Sequence, residues 1–340
     1  MKKKVIIVLL LLISAFVIFK ISSNKTSTLT GFETNFSVEN SEELTRIFIS
    51  TTGGNVADLK KDKSGTWYIN DKYETQKYAI DFILESLEKF KVHSAVPKNG
   101  IEGLTKELAA RHKKVELYKN NEDTPFKTLY IGTPNQSLSA NLAIVETRKH
   151  GMADKPYYVM KIGHKGIIGP MFFTKEAEWM TTRIFEYPQL NFKQITIRYP
   201  QDTAKSFAVL KQGQEYLVAN PNSKLVYNKK NTNNLVLDEY LEKYKKIHFE
   251  SLNESLVPYQ VDSLINTTPI AVISVTPMAG KTDSVQVYQR KGQQYDLDRN
   301  MLGTGQDLDY YYGYFQGKVV NLQRFNFDPV LFERSDFITL

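Results

Sequence analysis

The sequence predicts an α+β fold: two tandem repeats of a mixed β-sheet with helices packed on one face, preceded by a single N-terminal transmembrane helix. Three observations predict it. Period-two runs rich in β-branched residues are interrupted by amphipathic helical stripes. Their order, three strands, two helices, two strands, recurs at about 45–132 and again at 194–290. The chain also opens on Lys2-Lys3-Lys4, followed by Val5–Phe19, in which Ser14 is the only strongly polar residue. The expected organisation is a signal-anchor helix over 1–22, a polar linker over 23–40, a first repeat over 41–190 and a second over 191–340.

The fifteen residues Val5–Phe19 would span about 22 Å as a helix, short of the ~30 Å hydrocarbon core, so length fits a cleaved signal peptide as well as a spanning segment. Two details favour retention. The best cleavage site, Ile21-Ser22-Ser23, carries a bulky residue where a small one is wanted, and Lys20 can snorkel and lengthen the span. The three lysines place the N-terminus in the cytoplasm, so the expected location is the inner membrane, single-pass, with the remainder extracytoplasmic. The chain has no cysteine, which excludes a lipid-anchored Cys, disulfides, thiol catalysis and Cys-based zinc sites. Five lysines precede the first acidic residue, Glu33; removing them from the formal +7 leaves about +2. That balance points to neither nucleic acid nor an anionic membrane surface as a partner of the folded part.

Taken in order, Thr45–Ser50 and Val56–Lys60 alternate as strands. Asp62-Lys63-Ser64-Gly65 has hairpin-turn chemistry, and Thr66–Asn70 returns. Tyr78–Phe90 switches to helical period through Ile80, Ile83, Leu84 and Leu87, and a second helix is expected at Ile101–His112. Strands follow at Lys114–Tyr118, Thr128–Ile131, Asn141–Val145 and Tyr157–Ile162. In the second half, Gln194–Tyr199, Ser206–Leu210 and Tyr216–Ala219 read as strands, Leu235–Ile247 and Tyr259–Ile265 as helices, and Ala271–Val275 and Ser284–Gln289 as strands turning through Gly280.

Between the halves lie Tyr157-Tyr158-Val159-Met160-Lys161-Ile162-Gly163-His164-Lys165-Gly166, Phe172-Phe173-Thr174, Trp179 and Arg183-Ile184-Phe185. Together with Gly65-Thr66-Trp67-Tyr68-Ile69-Asn70 and the closing Tyr311-Tyr312-Gly313-Tyr314, Gly317-Lys318, Gln323 and Phe327-Asp328, this pattern resembles the bacterial family named domain of unknown function 4340. Met180 and His164 depart from it, where an arginine and an aromatic are usual. The resemblance implies a membrane-anchored extracytoplasmic α+β protein, often encoded beside auxiliary membrane components of gliding-motility-type ABC transporters. It implies no established reaction.

Candidate chemistry is sparse. Ser86-Leu87-Glu88-Lys89, Ser251-Leu252-Asn253 and Lys281-Thr282-Asp283 imitate the penicillin-binding series, but Ser86 and Lys89 fall on the polar side of their helix and are expected to face solvent. Asp296-Leu297-Asp298-Arg299-Asn300 with Asp307 imitates a calcium loop, yet Met301 stands where the turn wants glycine. The five histidines are scattered, and Gly163–Gly169 lacks the helix that a phosphate-binding turn requires. No metal or other cofactor is expected. Trp179 and Arg183, four apart on an expected short helix over Lys175–Arg183, with Phe172 nearby in sequence, are the candidate binding residues; the alternative is that they seal a core. Tyr310-Tyr311-Tyr312-Gly313-Tyr314-Phe315 reads as a late core strand, or as an aromatic platform for sugar rings of which at most half can face one way.

The expected function is therefore a non-enzymatic, membrane-anchored binding or scaffold component of an envelope or ABC-transporter-associated complex, with an envelope glycan-binding module or glycan-acting enzyme as the alternative. A flat apolar patch would favour the scaffold, convergent carboxylates or a Ser–base pair the enzyme, and three coplanar exposed aromatics the glycan module.

Overall fold

A computed structural model describes residues 31–223, 225–227, 229–295 and 301–338. The chain divides between Thr181 and Thr182 into two compact units.

In the first unit the strands are β1 (Leu44–Thr51), β2 (Val56–Lys61), β3 (Trp67–Ile69), β4 (Tyr73–Glu74), β5 (Phe90–Ala95), β6 (Lys113–Lys119), β7 (Lys127–Pro134), β8 (Asn141–Thr147), β9 (Gly151–Met152) and β10 (Tyr157–Lys161). The helix α1 (Lys77–Glu88) precedes β5, and α2 (Ile101–Ala110) follows it. They form one ten-stranded sheet in the order β4-β3-β2-β1-β6-β7-β8-β10-β5, with β9 on β8. Alternation decides the faces: Ile47 and Ile49 of β1, Ala57 and Leu59 of β2, and Val115 and Leu117 of β6 are buried. Helix α1 forms because Ile80, Ile83 and Leu87 repeat on one stripe, and all three are buried.

The second unit comprises β11 (Arg183–Phe185), β12 (Phe192–Arg198), β13 (Phe207–Gln212), β14 (Glu215–Ala219), α3 (Asn234–Glu242), β15 (Ile247–His248), β16 (Ser251–Leu252), α4 (Pro258–Ile265), β17 (Ala271–Pro277), β18 (Asp283–Tyr295), β19 (Met301–Phe315), β20 (Lys318–Gln323) and α5 (Arg324–Phe327). Eight strands join as β14-β13-β12-β17-β18-β19-β20-β16, and β11 pairs β15 separately. Asn233 caps α3, its side-chain oxygen accepting the Val236 N–H at 3.3 Å. Tyr240 of α3 lies edge-on to Phe207 at 5.5 Å and to Phe337 at 5.2 Å, and its hydroxyl shares a 2.7 Å bond with Tyr244. β19 and β20 meet through Gln316 (φ 48°) and Gly317 (φ 78°), the paired left-handed residues of a tight hairpin.

Gly313 sits on the inner face of β19, where an added Cβ would lie 2.8 Å from both Leu322 Cδ1 and Val320 Cγ2. Gly313→Ala is therefore expected to lower stability by about 1–3 kcal/mol in chemical denaturation, the cost of overpacking a filled core.

The structure corrects several expectations. The sheets are not mixed: every strand pairing among the described residues is antiparallel. Tight turns join most neighbours as hairpins, which forces antiparallel order. Nor is the fold a simple tandem repeat of a small unit, because the sheets are large, with ten and eight strands. What they have in common is a path: three strands meander outward from β1 and two from β12, four more meander away on the other side, and β5 or β16 closes the far edge.

The expected transmembrane helix, over 1–22, lies outside the described residues, and no helix among the described residues is long and apolar enough to cross a membrane. Among the described residues, then, the single-pass, signal-anchor and inner-membrane expectations find no helix to carry them. The described end of the expected linker is not a free tether either. Phe36 and Val38 are buried, and the Val38 N–H donates to the Leu87 carbonyl at 2.9 Å. The buried Lys127 ammonium donates to Asn35 O at 3.1 Å, Asn35 Oδ1 at 3.2 Å and Ser37 O.

Burial pushes the Lys127 ammonium down to about 8 from its ordinary 10.5. Between those two values the unfolded chain holds a proton that the folded chain has released, so stability rises with pH across that window. Denaturation midpoints of the native chain relative to Lys127→Met should accordingly improve from about pH 8 to about pH 10. A flat difference would contradict this account of the lysine.

Candidate functional site

The binding residues expected from sequence are divided between the two units, Phe172 and Trp179 in the first and Arg183 in the second. Phe172 and Trp179 are fully buried in the first unit. Phe172 packs against Phe90 at 6.0 Å, and its carbonyl accepts from Lys113 Nζ at 2.6 Å. The Trp179 indole stands edge-on to Phe173 at 5.5 Å and donates Nε1–H to the Phe173 carbonyl at 3.1 Å. The expected helix over Lys175–Arg183 is instead a single 3₁₀ turn at Glu176–Glu178, and the chain is extended again by Arg183. Arg183 belongs to the second unit, in β11, where its guanidinium lies 3.6 Å from the Glu186 carboxylate. Its i+4 spacing from Trp179 therefore brings no shared face.

Ser86 also departs from expectation. It is fully buried, not solvent-facing. Its hydroxyl donates to the Phe82 carbonyl at 2.6 Å and accepts from the buried Lys161 ammonium at 2.8 Å. A Ser–Lys pair is thus present, with Lys161 rather than Lys89. The hydroxyl proton points at a backbone carbonyl instead of at a base, and the lysine also sits 4.3 Å over the Phe82 ring as a cation. The contact is structural. Of the imagined calcium loop, residues 296–300 lie outside the described residues; the Asp307 carboxylate takes Arg290 Nε at 3.0 Å and the N–H groups of Asp309 and Tyr310, both at 2.9 Å. Among the described residues no group of three or more His, Asp or Glu side chains is placed to hold a metal ion.

The arrangement that does carry chemistry is one face of the second unit's sheet. Its inner face is apolar: Ile195, Ile197, Val209, Ile273, Val275, Val285, Val287, Val320 and Leu322 are buried. The alternate positions form the other face, and register aligns them in rows across the strands. Thr196 pairs Ser274, which pairs Ser284. Val272 pairs Gln286, Gln286 pairs Tyr314, and Tyr314 pairs Val319. Tyr288 pairs Tyr312, Tyr312 pairs Asn321, and Asn321 pairs Ser251. Tyr310 pairs Gln323. Tyr310, Tyr312 and Tyr314 therefore point the same way along one strand, all half-buried, amid hydroxyls and amides.

This face is held in place. Arg290 lies 5.3 Å from the Tyr310 ring centroid and 5.4 Å from that of Tyr312. It is fixed by Asp307 and by Asn321 Oδ1 at 3.3 Å. Asn321 is gripped from the other side, accepting from Asn253 Nδ2 at 2.8 Å and donating to Ser251 Oγ at 3.0 Å. The Tyr310 hydroxyl is raised above its ordinary value, chiefly by its hydrogen bond to Glu250, and stays a neutral donor.

The first unit also has a mixed outer face, of a different kind. Arg46 sits 4.8 Å over Tyr118 and is forked to Asp58 at 2.7 and 2.9 Å. The Tyr118 hydroxyl donates to Glu116 at 2.9 Å and the Tyr130 hydroxyl to Glu146 at 2.8 Å. Its polar groups satisfy one another through an ion pair and phenol-to-carboxylate hydrogen bonds, and burial with the Glu116 bond pushes Tyr118 up to about 12.

No family model, no curated protein and no solved structure matches the chain.

Proposed function

We propose that this chain is a non-enzymatic binding protein whose second unit lays a neutral glycan across the half-exposed face of its sheet. The observation that carries the reading is the line of Tyr310, Tyr312 and Tyr314 in register with amides and hydroxyls, where the guanidinium against the rings, Arg290, is neutralised by Asp307. A sugar ring offers an apolar C–H face and a rim of hydroxyls. Phenol rings take the first by stacking, and the amide N–H groups of Gln286 and Gln323, whose oxygens accept from Tyr288 and Asn326, suit the second as donors. Nucleic acid would need several unpaired cations along its phosphates. This face carries Arg290, which Asp307 already neutralises, and Arg198.

A protein partner is the second reading, and the sequence resemblance would make it a subunit of a membrane transport complex. Phe325 at 88% and Leu308 at 72% exposure favour it, as large apolar side chains left in water beside Arg324 and Asp307.

The test is retardation of the full chain in native gels cast with neutral polysaccharides, with and without about 0.5 M salt. Retardation that survives salt is expected. Absence of retardation on every neutral polysaccharide, or its loss in salt, would overturn the glycan reading.

A further inference from the structure

A second, chemically distinct site lies elsewhere in the same unit. A cleft of about 280 Å³ opens between the turn after α3, strand β15 and the segment following α5. Lys243, Lys246, His248 and Asn326 supply its polar groups, over Ile247 and Val330. No carboxylate lines it. Lys243 and Lys246 have no ion-pair partner among the described residues, whereas the neighbouring Lys245 is paired to Glu242 at 2.5 Å. The His248 ring meets Thr182 Oγ1 through Nδ1 at 3.1 Å, and its Nε2 is buried with no hydrogen-bond partner.

Two unpaired ammonium groups, an amide and an imidazole around one concavity with an apolar floor describe a receptor for a small oxyanion. We propose that this cleft binds a phosphate group, held by Lys243 and Lys246, with His248 in its wall sensing the bound charge. The lysine heads supply point charges for the phosphate oxygens. The apolar floor keeps water from screening them fully. The volume leaves room beyond the phosphate itself, so a phosphate monoester of a small polyol fits the same chemistry as free phosphate. The site shares no residue with the tyrosine face and does not depend on the glycan reading.

His248 makes the proposal measurable. Burial, then Lys246, hold its ring below its ordinary value; Arg183 acts in the same direction and Glu186 against it. A bound dianion beside Lys246 offsets those cations and moves the imidazole titration upward. The experiment is an NMR titration of the His248 ring protons in the full chain, with inorganic phosphate in one arm and glycerol phosphate in the other. The native protein, Lys243→Ala/Lys246→Ala and Lys245→Ala are compared at constant ionic strength.

The expected result is a saturable upward shift of the His248 titration in at least one arm. The double variant should weaken the apparent affinity about tenfold or more, and Lys245→Ala should leave it unchanged. Tighter binding of glycerol phosphate would identify a monoester as the ligand, and equal binding free phosphate. The proposal is overturned if His248 does not respond to either anion, if the double variant binds as tightly as the native chain, or if Lys245→Ala weakens binding equally, since net charge alone would then explain it.

Discussion

Trp179→Ala is expected to destabilise the first unit by about 3–5 kcal/mol, measured by chemical denaturation of the full chain. The indole is fully buried, stacks edge-on against Phe173 and hydrogen-bonds the Phe173 carbonyl. Alanine removes the packing, opens a cavity and leaves that carbonyl unpaired. The Trp179 backbone carbonyl also accepts the Gln76 N–H at 2.7 Å, immediately ahead of α1, so a cavity here loosens the helix entry. Trp179→Phe keeps most of the volume and loses the hydrogen bond, and should cost about 1–2 kcal/mol. An indole reserved for a ligand predicts the reverse pattern, near-neutral stability with lost binding. A loss below about 1 kcal/mol in Trp179→Ala would restore that reading.

The second large effect is on binding. Tyr312→Ala combined with Tyr314→Ala should weaken affinity for a retained polysaccharide by about 10- to 100-fold, the equivalent of about 1.4–2.8 kcal/mol for two lost stacking surfaces. Both side chains are half-buried on the polar face, so the fold should survive their removal. Tyr312→Phe keeps the ring and should retain most of the affinity. Tyr130→Ala, on the outer face of the first unit, should leave affinity unchanged while costing stability, because its hydroxyl is committed to Glu146. Loss of affinity in Tyr130→Ala and not in the tyrosine pair would move the site to the first unit.

Most of the strands were legible, because a half-buried antiparallel strand writes its two faces into alternate residues. The alternation in Thr45–Ser50 is of this kind and lies within β1, whereas Asn141–Val145, buried at every position, is legible as a short apolar run within β8. β5 was not legible. The helical stripe runs on to Phe90, and only the pairing of Phe90–Ala95 with distant β10 turns that segment into a strand. The Trp179–Arg183 spacing misled for a related reason. An i+4 interval signifies a shared face only on a helix, and Thr181-Thr182 followed by Arg183-Ile184-Phe185 is β-branched and extended. Ser86 looked polar by its position on the helix wheel, yet the buried Lys161 ammonium, 75 positions away, supplies the partner that lets a hydroxyl be buried. The tyrosine line was visible as alternation in residues 310–314. What could not be read was which parity the apolar core would take and which hydroxyls and amides would align beside it. That depends on the register of β12, β17, β18, β19 and β20, which only the assembled sheet reveals.

Hydroxyl-radical footprinting of the full chain, with and without a saturating neutral oligosaccharide, shows whether the glycan lies on the tyrosine face of the second unit. Oxidation of Tyr310, Tyr312 and Tyr314 is expected to fall on binding while that of Tyr118 and Tyr130 stays constant. Protection confined to the first unit's tyrosines, or binding that leaves all five tyrosines equally reactive, would contradict it.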